Sequence, residues 1–393
     1  MNIIERIAGE PAVQSALASF HDELTQIIET IVAIQQIPAP TFAEGERARF
    51  IEKQFAGLGL EDVSRDGIEN VYGRFPGTDP AHPPVIISAH SDTVFPAETD
   101  LAVKRNGRFL YGPGIADNSA GVAGLLHLAR SLHQHRLTTA ADLWFVANVG
   151  EEGLGDLRGM RAVVDRFGKQ AQYLIVEGGL YGQIVHQGIG VRRYRIQANA
   201  PGGHSWGSFG AASAIHELGH LIAAIDGLVV PHQPRTTYNV GQIGGGTSIN
   251  TIAQSAHLLL DLRSEDAGAL AKLVAQVEEL VMARDGRTPE LTFIMEPIGN
   301  RPPGRIQRDA PLVQAAAAAL RAVGCREVEF VPASTDANVP LSAGATAVCI
   351  GLAQSANAHR LDEYLDTSYL PKGLGQLLLL VLAVGGYQST ILG

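Results

Sequence analysis

Residues 143–153 read LWFVANVGEEG. Trp144, Phe145, Val146, Ala147 and Val149 form an apolar run of strand length, Gly150 stops it, and Glu151 and Glu152 follow. A buried strand that ends in two adjacent carboxylates presents charge at the edge of a core, which is costly without a partner. In open α/β sheets the crevice outside the carboxyl ends of the strands is where ligands sit. An isolated Glu-Glu pair reads as a solvated loop. The balance shifts once other strand-like runs end in the same kind of residue.

Two neighbouring strand-like runs do so, and a Gly-rich loop carries a further acid. Upstream, the apolar run at 85–87 leads into His90 and Asp92, and residues two apart on a strand share a face, so the carboxylate is positioned to orient the imidazole or to join it as a ligand. The loop GPGIADNSAG at 112–121 carries Asp117 just ahead of an apolar helix at 122–132, where its ordinary role is an N-cap. Downstream, a buried strand at 173–176 ends in Glu177. One histidine and several acids converging on one sheet edge resemble a hard-to-borderline metal site built from imidazole and carboxylate. Strands alternating with helices predict an α/β fold with a mostly parallel sheet flanked by helices.

Further out, apolar positions at helical spacing predict one helix over 15–35, ended by Pro38 and Pro40, a second helix over 46–58, and a short strand over 70–75. From His186 the pattern changes. Strands at 191–198, 238–243, 256–263 and 291–295, with helices at 211–225 and 267–283, give the order β-α-β-β-α-β of a ferredoxin-like unit. It interrupts the first domain, which resumes with an Ala-rich helix at 311–323, strands at 328–331 and 347–350, a loop bearing His359, and a C-terminal helix from Leu370. The expected division is 1–185, 186–298 and 299–393. The insert also contains His216-Glu217-Leu218-Gly219-His220, which matches the H-E-x-x-H zinc motif. No second helix lies at the distance needed to present a Glu as third ligand, and the helix needs Ile215, Leu218, Leu221 and Ile222 for its own core, so this match is rejected.

The bulk numbers narrow the function. A chain of 393 residues exceeds one ordinary core. Forty acids against 30 bases, a formal charge of −10, argue against nucleic acid or an anionic membrane as partner. Two distant cysteines, Cys325 and Cys349, exclude a disulfide framework and a cysteine zinc site and fit a reducing compartment. MNIIERIAGEP has no apolar leader core, and the longest apolar run, 377–384, falls short of a membrane span, so a cytoplasmic protein is expected.

Taken in order, AHSDTV, GPGIADNSAG, GEEG, VEGG, GGHSWG, GGTSIN, DLRSED and NAHRLDEYLD resemble the two-zinc exopeptidase and deacylase family. That family includes carboxypeptidase G, peptidase T, acetylornithine deacetylase, succinyl-diaminopimelate desuccinylase and aminoacylase. The resemblance implies a zinc exopeptidase-like fold whose insert is both lid and dimerisation domain. It implies two Zn²⁺ per chain, with Co²⁺ or Mn²⁺ as substitutes. Asp117 would bridge them, His90 and Glu177 would complete one site, and Glu152 and His359 the other. Glu151 would be the general base acting on a metal-bridging water, and Asp92 would orient His90. His204, from the partner subunit of a homodimer, and Asn250 would approach the scissile group, and Arg263 would bind the substrate carboxylate. The implied reaction is hydrolysis of an amide bond in a small peptide with a free carboxylate. The alternatives are an N-acyl-amino-acid deacylase and, from another class, an inactive small-ligand binding protein. Ser119 stands where the family often has Lys.

Overall fold

The computed structural model describes residues 2–287 and 290–388. The chain divides into two compact units, Met1–Gly188 with Gly304–Gly393, and Ile189–Pro303.

The first unit is built on a nine-stranded sheet. Its four central strands, Leu143–Asn148, Val85–His90, Gln172–Glu177 and Thr346–Gly351, are parallel. They are mainly apolar because both faces are covered. Ile87, Phe145, Leu174 and Val348 pack under the helices Leu24–Gln35, Gly121–Gln134, Pro311–Ala322 and Leu370–Val384. Their neighbours Ile86, Val146, Tyr173 and Cys349 pack on the other face with Leu157, Met160 and Val163. Thr367–Val384, the one described helical stretch long and apolar enough to cross a membrane, is 72% buried inside this unit.

The sheet is mixed, which corrects the expectation of a mostly parallel one. Val71–Phe75 pairs antiparallel with Leu143–Asn148, and Gln183–Gly188 antiparallel with Thr346–Gly351. The connections dictate this. Parallel neighbours need a crossover of a dozen or more residues. The loop 178–182 is far shorter, so the chain reverses after Glu177. The predicted helix over 15–35 is also two helices, Pro11–Asp22 and Leu24–Gln35, hinged at Glu23. The first packs on Leu370–Val384 and the second on Gly121–Gln134, so the break lets one apolar stripe serve two partners.

A small antiparallel sheet, Gln354–Ala356, Tyr364–Asp366, Phe109–Tyr111 and Lys104–Asn106, completes this unit. It brings the chain before Asp117 next to the chain on both sides of His359.

In the second unit the strands Gly190–Asn199, Thr236–Gly245, Ser255–Ser264 and Thr292–Arg301 alternate with the helices Ala214–Asp226 and Ala267–Met282 in the order β-α-β-β-α-β. The four strands form one antiparallel sheet, with Ser255–Ser264 and Gly190–Asn199 in the middle. Strict alternation along Ser255–Ser264 buries Ala256, Leu258, Leu260 and Leu262 against Leu218, Leu221, Leu273 and Val277 of the helices. The H-E-x-x-H helix spends its inner face on that core. His216 and His220 are exposed, and Glu217 pairs with Arg284 at 3.6 Å.

Candidate metal centre

Parallel register gathers the strand ends. His90 lies beside Asn148, and Glu177 beside Gly351, on one edge of the sheet. His90 is the last residue of its strand, and Asp92 lies just beyond, so the two meet across the turn rather than along a strand face. His90 Nδ1 is 3.2 Å from the Asp92 carbonyl oxygen and 3.5 Å from Asp92 Oδ1. The ring is thereby held with Nε2 pointing at carboxylates, 3.0 Å from Asp117 Oδ1 and 3.7 Å from Glu177 Oε2.

His359 arrives from the other side. Its Nε2 is 3.2 Å from Asp117 Oδ2 and 3.1 Å from Glu152 Oε1. Its backbone is left-handed, with φ of 66°, a conformation that costs a residue with a Cβ of order 1 kcal/mol and clusters at functional sites. Asp117 thus turns each of its two oxygens to a different imidazole. It is free to do so because Asn118, not Asp117, performs the capping. Asn118 Oδ1 accepts from the Gly121 and Gly178 N–H groups at 3.0 and 2.8 Å, and its Nδ2 donates to the Val176 carbonyl at 2.9 Å. Ser119 Oγ donates to the Gly114 carbonyl at 2.7 Å and closes the same turn.

Asp92, completely buried, also fixes the Glu-Glu pair. Its Oδ1 accepts from the Glu151 N–H at 3.0 Å and its Oδ2 from the Glu152 N–H at 3.1 Å, with Thr41 Oγ1 donating to Oδ2 at 2.8 Å. One carboxylate therefore sets both the first histidine and the two glutamates.

The donor set fits a metal. Two imidazole nitrogens and three carboxylates are the ligands of a borderline divalent cation. Donors about 2.0–2.1 Å from a tetrahedral ion stand roughly 3.4 Å apart, and the separations of 3.0–3.7 Å bracket that value. A ligand atom from each of His90, Asp117 and Glu152 lies within 4.8 Å of the others. Charge gives the same answer. Burial, reinforced by the charges of Asp117 and Glu151, pushes the Glu152 and Glu177 carboxyls up to about 7. Hydrogen bonds to Asp117 and Glu152 push His359 up to about 10. Burial opposes a charge on His90, but Glu177 and Asp117 overcome it and hold the ring well above the usual imidazole range. Protons occupy positions that a cation would take.

Metal affinity is therefore expected to rise with pH. Binding must displace one proton each from His90 and His359, joined below about pH 7 by those on Glu152 and Glu177. Calorimetric Zn²⁺ titrations in buffers of different ionisation enthalpy should show net proton release that is larger at pH 6 than at pH 8. Pure carboxylate chemistry, with no proton release at pH 8, would contradict this arrangement.

His204, Asn250 and Arg263 belong to the second unit. His204 sits on a two-stranded ribbon, Gly203–His204 with Thr251–Ile252, and Asn250 adjoins it, its carbonyl accepting from the Ser205 N–H at 3.0 Å. His204 Nδ1 accepts from the Trp206 and Gly207 N–H groups at 3.2 and 3.4 Å, which leaves the ring proton on Nε2. Arg263 lies on the face of its sheet away from the helices, its Nε 2.6 Å from Asp261 Oδ2, while Arg193 holds Asp261 Oδ1 at 2.9 Å.

Sequence reasoning missed a layer behind the candidate ligands. Glu363 and Asp336 are completely buried acids, and Arg47 is a buried cation. Asp336 Oδ2 accepts from Asn148 Nδ2 at 2.7 Å, and burial together with the charge of Glu151 pushes Asp336 up to about 8. Asn118 and Glu363 stand inside the quoted motifs GPGIADNSAG and NAHRLDEYLD, where adjacency to Asp117 and His359 was the available signal. Nothing in the sequence around Arg47 marks it as buried.

A family model, Peptidase family M20/M25/M40, matches residues 86–383, and the chain belongs to that family. It is a hydrolase acting on amide bonds. Succinyl-diaminopimelate desuccinylase of Sphingopyxis alaskensis is 27% identical over 363 residues, covering 86% of this chain and 92% of that protein. A probable carboxypeptidase of Ajellomyces dermatitidis is 26% identical over 248 residues, 56% of this chain and 55% of its own length. Among solved structures, a tripeptidase from Staphylococcus aureus superposes with a TM-score of 0.77 at 20% identity, covering 92% of this chain and 98% of its own. The dipeptidase Dug1p of Saccharomyces cerevisiae gives 0.75 at 14% identity, covering 95% and 98%. The two structures bear on the fold.

Proposed function

We propose that the protein is a two-zinc exopeptidase that hydrolyses the amide bond of a small peptide next to a free carboxylate. The observation that carries the reading is the shared carboxylate, with Asp117 Oδ1 3.0 Å from one imidazole and Oδ2 3.2 Å from another. The cluster divides about Asp117 into two sets, His90 with Glu177 and His359 with Glu152. Bound zinc, for which Co²⁺ or Mn²⁺ can substitute, supplies a Lewis acid that polarises the amide carbonyl and makes water a nucleophile near neutral pH.

The remaining steps belong to the chain. Glu151 takes a proton from the attacking water and passes it to the leaving nitrogen, so that amide and water become acid and amine. Asp92 holds Glu151 by its N–H and His90 by its ring. The second unit acts as lid and dimerisation domain. His204 from the partner copy, with Nε2–H as donor, and Asn250 meet the carbonyl oxygen as negative charge develops there. One such donor is worth ~3 kcal/mol by analogy with other oxyanion donors. Arg263 grips the substrate carboxylate. The reading is of a cytoplasmic homodimer.

A second reading, an N-acyl-amino-acid deacylase, is supported by the desuccinylase of Sphingopyxis alaskensis, which aligns with 86% of this chain. The deciding experiment is metal content followed by a substrate panel. About two zinc ions per chain are expected in the wild type, falling to one or fewer in His359→Ala, with turnover of free-acid di- and tripeptides above that of N-acetyl or N-succinyl amino acids. One ion that survives His359→Ala would overturn the split site. Turnover confined to N-acyl substrates would select the deacylase, and full loading with no turnover would select a binding protein.

A further inference from the structure

Glu363 follows His359 by four residues and is completely buried, yet it faces none of the metal-facing side chains with its carboxylate. It spends both oxygens on backbone. Oε2 accepts from the Gly114 N–H at 3.1 Å, and Oε1 from the Ala116 and Asp117 N–H groups at 2.7 and 2.9 Å. The Glu363 carbonyl also accepts from the Gly112 N–H at 2.9 Å, and the next residue, Tyr364, pairs with Tyr111 in the small sheet. Every polar atom of Glu363 that can reach the 112–117 turn is tied to it.

The chemistry of that turn explains why an acid stands there. With Gly114 in the left-handed region at φ of 69°, the successive N–H groups of the turn line a concave nest that attracts an anion. The Asp117 carboxylate is itself the next anion along the chain. A nest left empty would compete with the imidazoles for it. Glu363 fills the nest from the far side and so leaves Asp117 to face His90 and His359. Because Glu363 and His359 share one short loop, the same contact fixes the distance between the bridging carboxylate and the second imidazole.

We propose that Glu363 is a positioning residue that sets Asp117 against His359 and thereby sets the metal affinity of the site. This rests on the metal-site reading above. Glutamine keeps one acceptor oxygen and has an NH₂ donor in place of the other. In Glu363→Gln one N–H of the turn is therefore left facing a donor.

The test is Zn²⁺ affinity by chelator competition on the full chain, alongside the thermal midpoint and far-UV circular dichroism of the metal-free protein. Glu363→Gln is expected to bind Zn²⁺ ~10–100-fold more weakly than wild type, as other supporting partners of metal ligands do, with a native metal-free spectrum. The zinc-induced rise in midpoint should shrink accordingly. If Gln does not give a native spectrum, Glu363→Asp, which keeps the charge and loses the reach, is measured with the same expectation. Wild-type Zn²⁺ affinity in a folded Glu363→Gln or Glu363→Asp chain overturns the proposal. Absence of Zn²⁺ binding in the wild type as well overturns the metal-site reading instead, so the two failures are distinct.

Discussion

Glu151→Gln is expected to keep its full metal complement and to lose kcat by about 10²–10⁴-fold, the range for removal of a positioned general base. The structure separates the two properties. Glu151 reaches the site through its backbone, whose N–H is held 3.0 Å from Asp92 Oδ1, and the adjacent Glu152 N–H is held 3.1 Å from Oδ2. Both contacts are made by backbone and survive an isosteric amide, so the proposed ligands His90, Asp117, Glu152, Glu177 and His359 are expected to stay in place. The residue is only 6% exposed, and the change conserves volume. What the amide lacks is a basic oxygen that can take up a proton and release it to the leaving nitrogen. The measurement is kcat with metal content on the same preparation. A loss of less than about tenfold at full loading would remove Glu151 as the base. A large loss accompanied by lost metal would make it a supporting group for the ligands.

Much of this site was legible because its signals are local. An apolar strand ending in an acid can be read from a dozen residues, and three such ends, with His90 and the Asp117 loop, lie within one run of about ninety residues. The order of elements in the second unit was legible for the same reason, since periods of two and 3.6 change sharply along residues 190–301. Strand direction was not. Whether Gln183–Gly188 runs with or against its neighbours depends on the length of the loop before it and on Thr346–Gly351, which lies far along the chain. The break at Glu23 was hidden because both halves of the stripe keep helical spacing, and only their different packing partners part them. Asn118 and Glu363 were in view, but their work is done on backbone N–H groups, and no residue pattern records where a distant N–H points.

Arg47 shows the same limit most plainly, and its removal carries the largest expected cost to stability. In sequence it is one charged residue among others in the helix Gly45–Gly57. In the fold it is 2% exposed, its guanidinium spread across three backbone carbonyls. Nε donates to Ile37 O at 2.9 Å, Nη1 to Ser91 O at 2.9 Å, and Nη2 to Ile37 O and Gln35 O at 2.6 and 3.4 Å. It thus joins the helix to the end of Leu24–Gln35 and to the turn between His90 and Asp92. Burial lowers its pKa to about 10, and the Asp92 charge works the other way, so it remains a cation at pH 7. The desolvation of that cation offsets part of its bonding, but removing it strands carbonyl oxygens in a dry core, leaves a cavity and takes away a positive charge that acts on Asp92. Together these terms place Arg47→Ala about 3–5 kcal/mol below wild type. Urea denaturation of the metal-free chain should show a lower midpoint at an unchanged slope. Arg47→Met, which refills the volume without the donors, should recover only the cavity part. If Met restores wild-type stability, the guanidinium contributes bulk alone. If it does not, the turn that carries His90 and Asp92 is held in place by a buried charge bonded to its own backbone at Ser91.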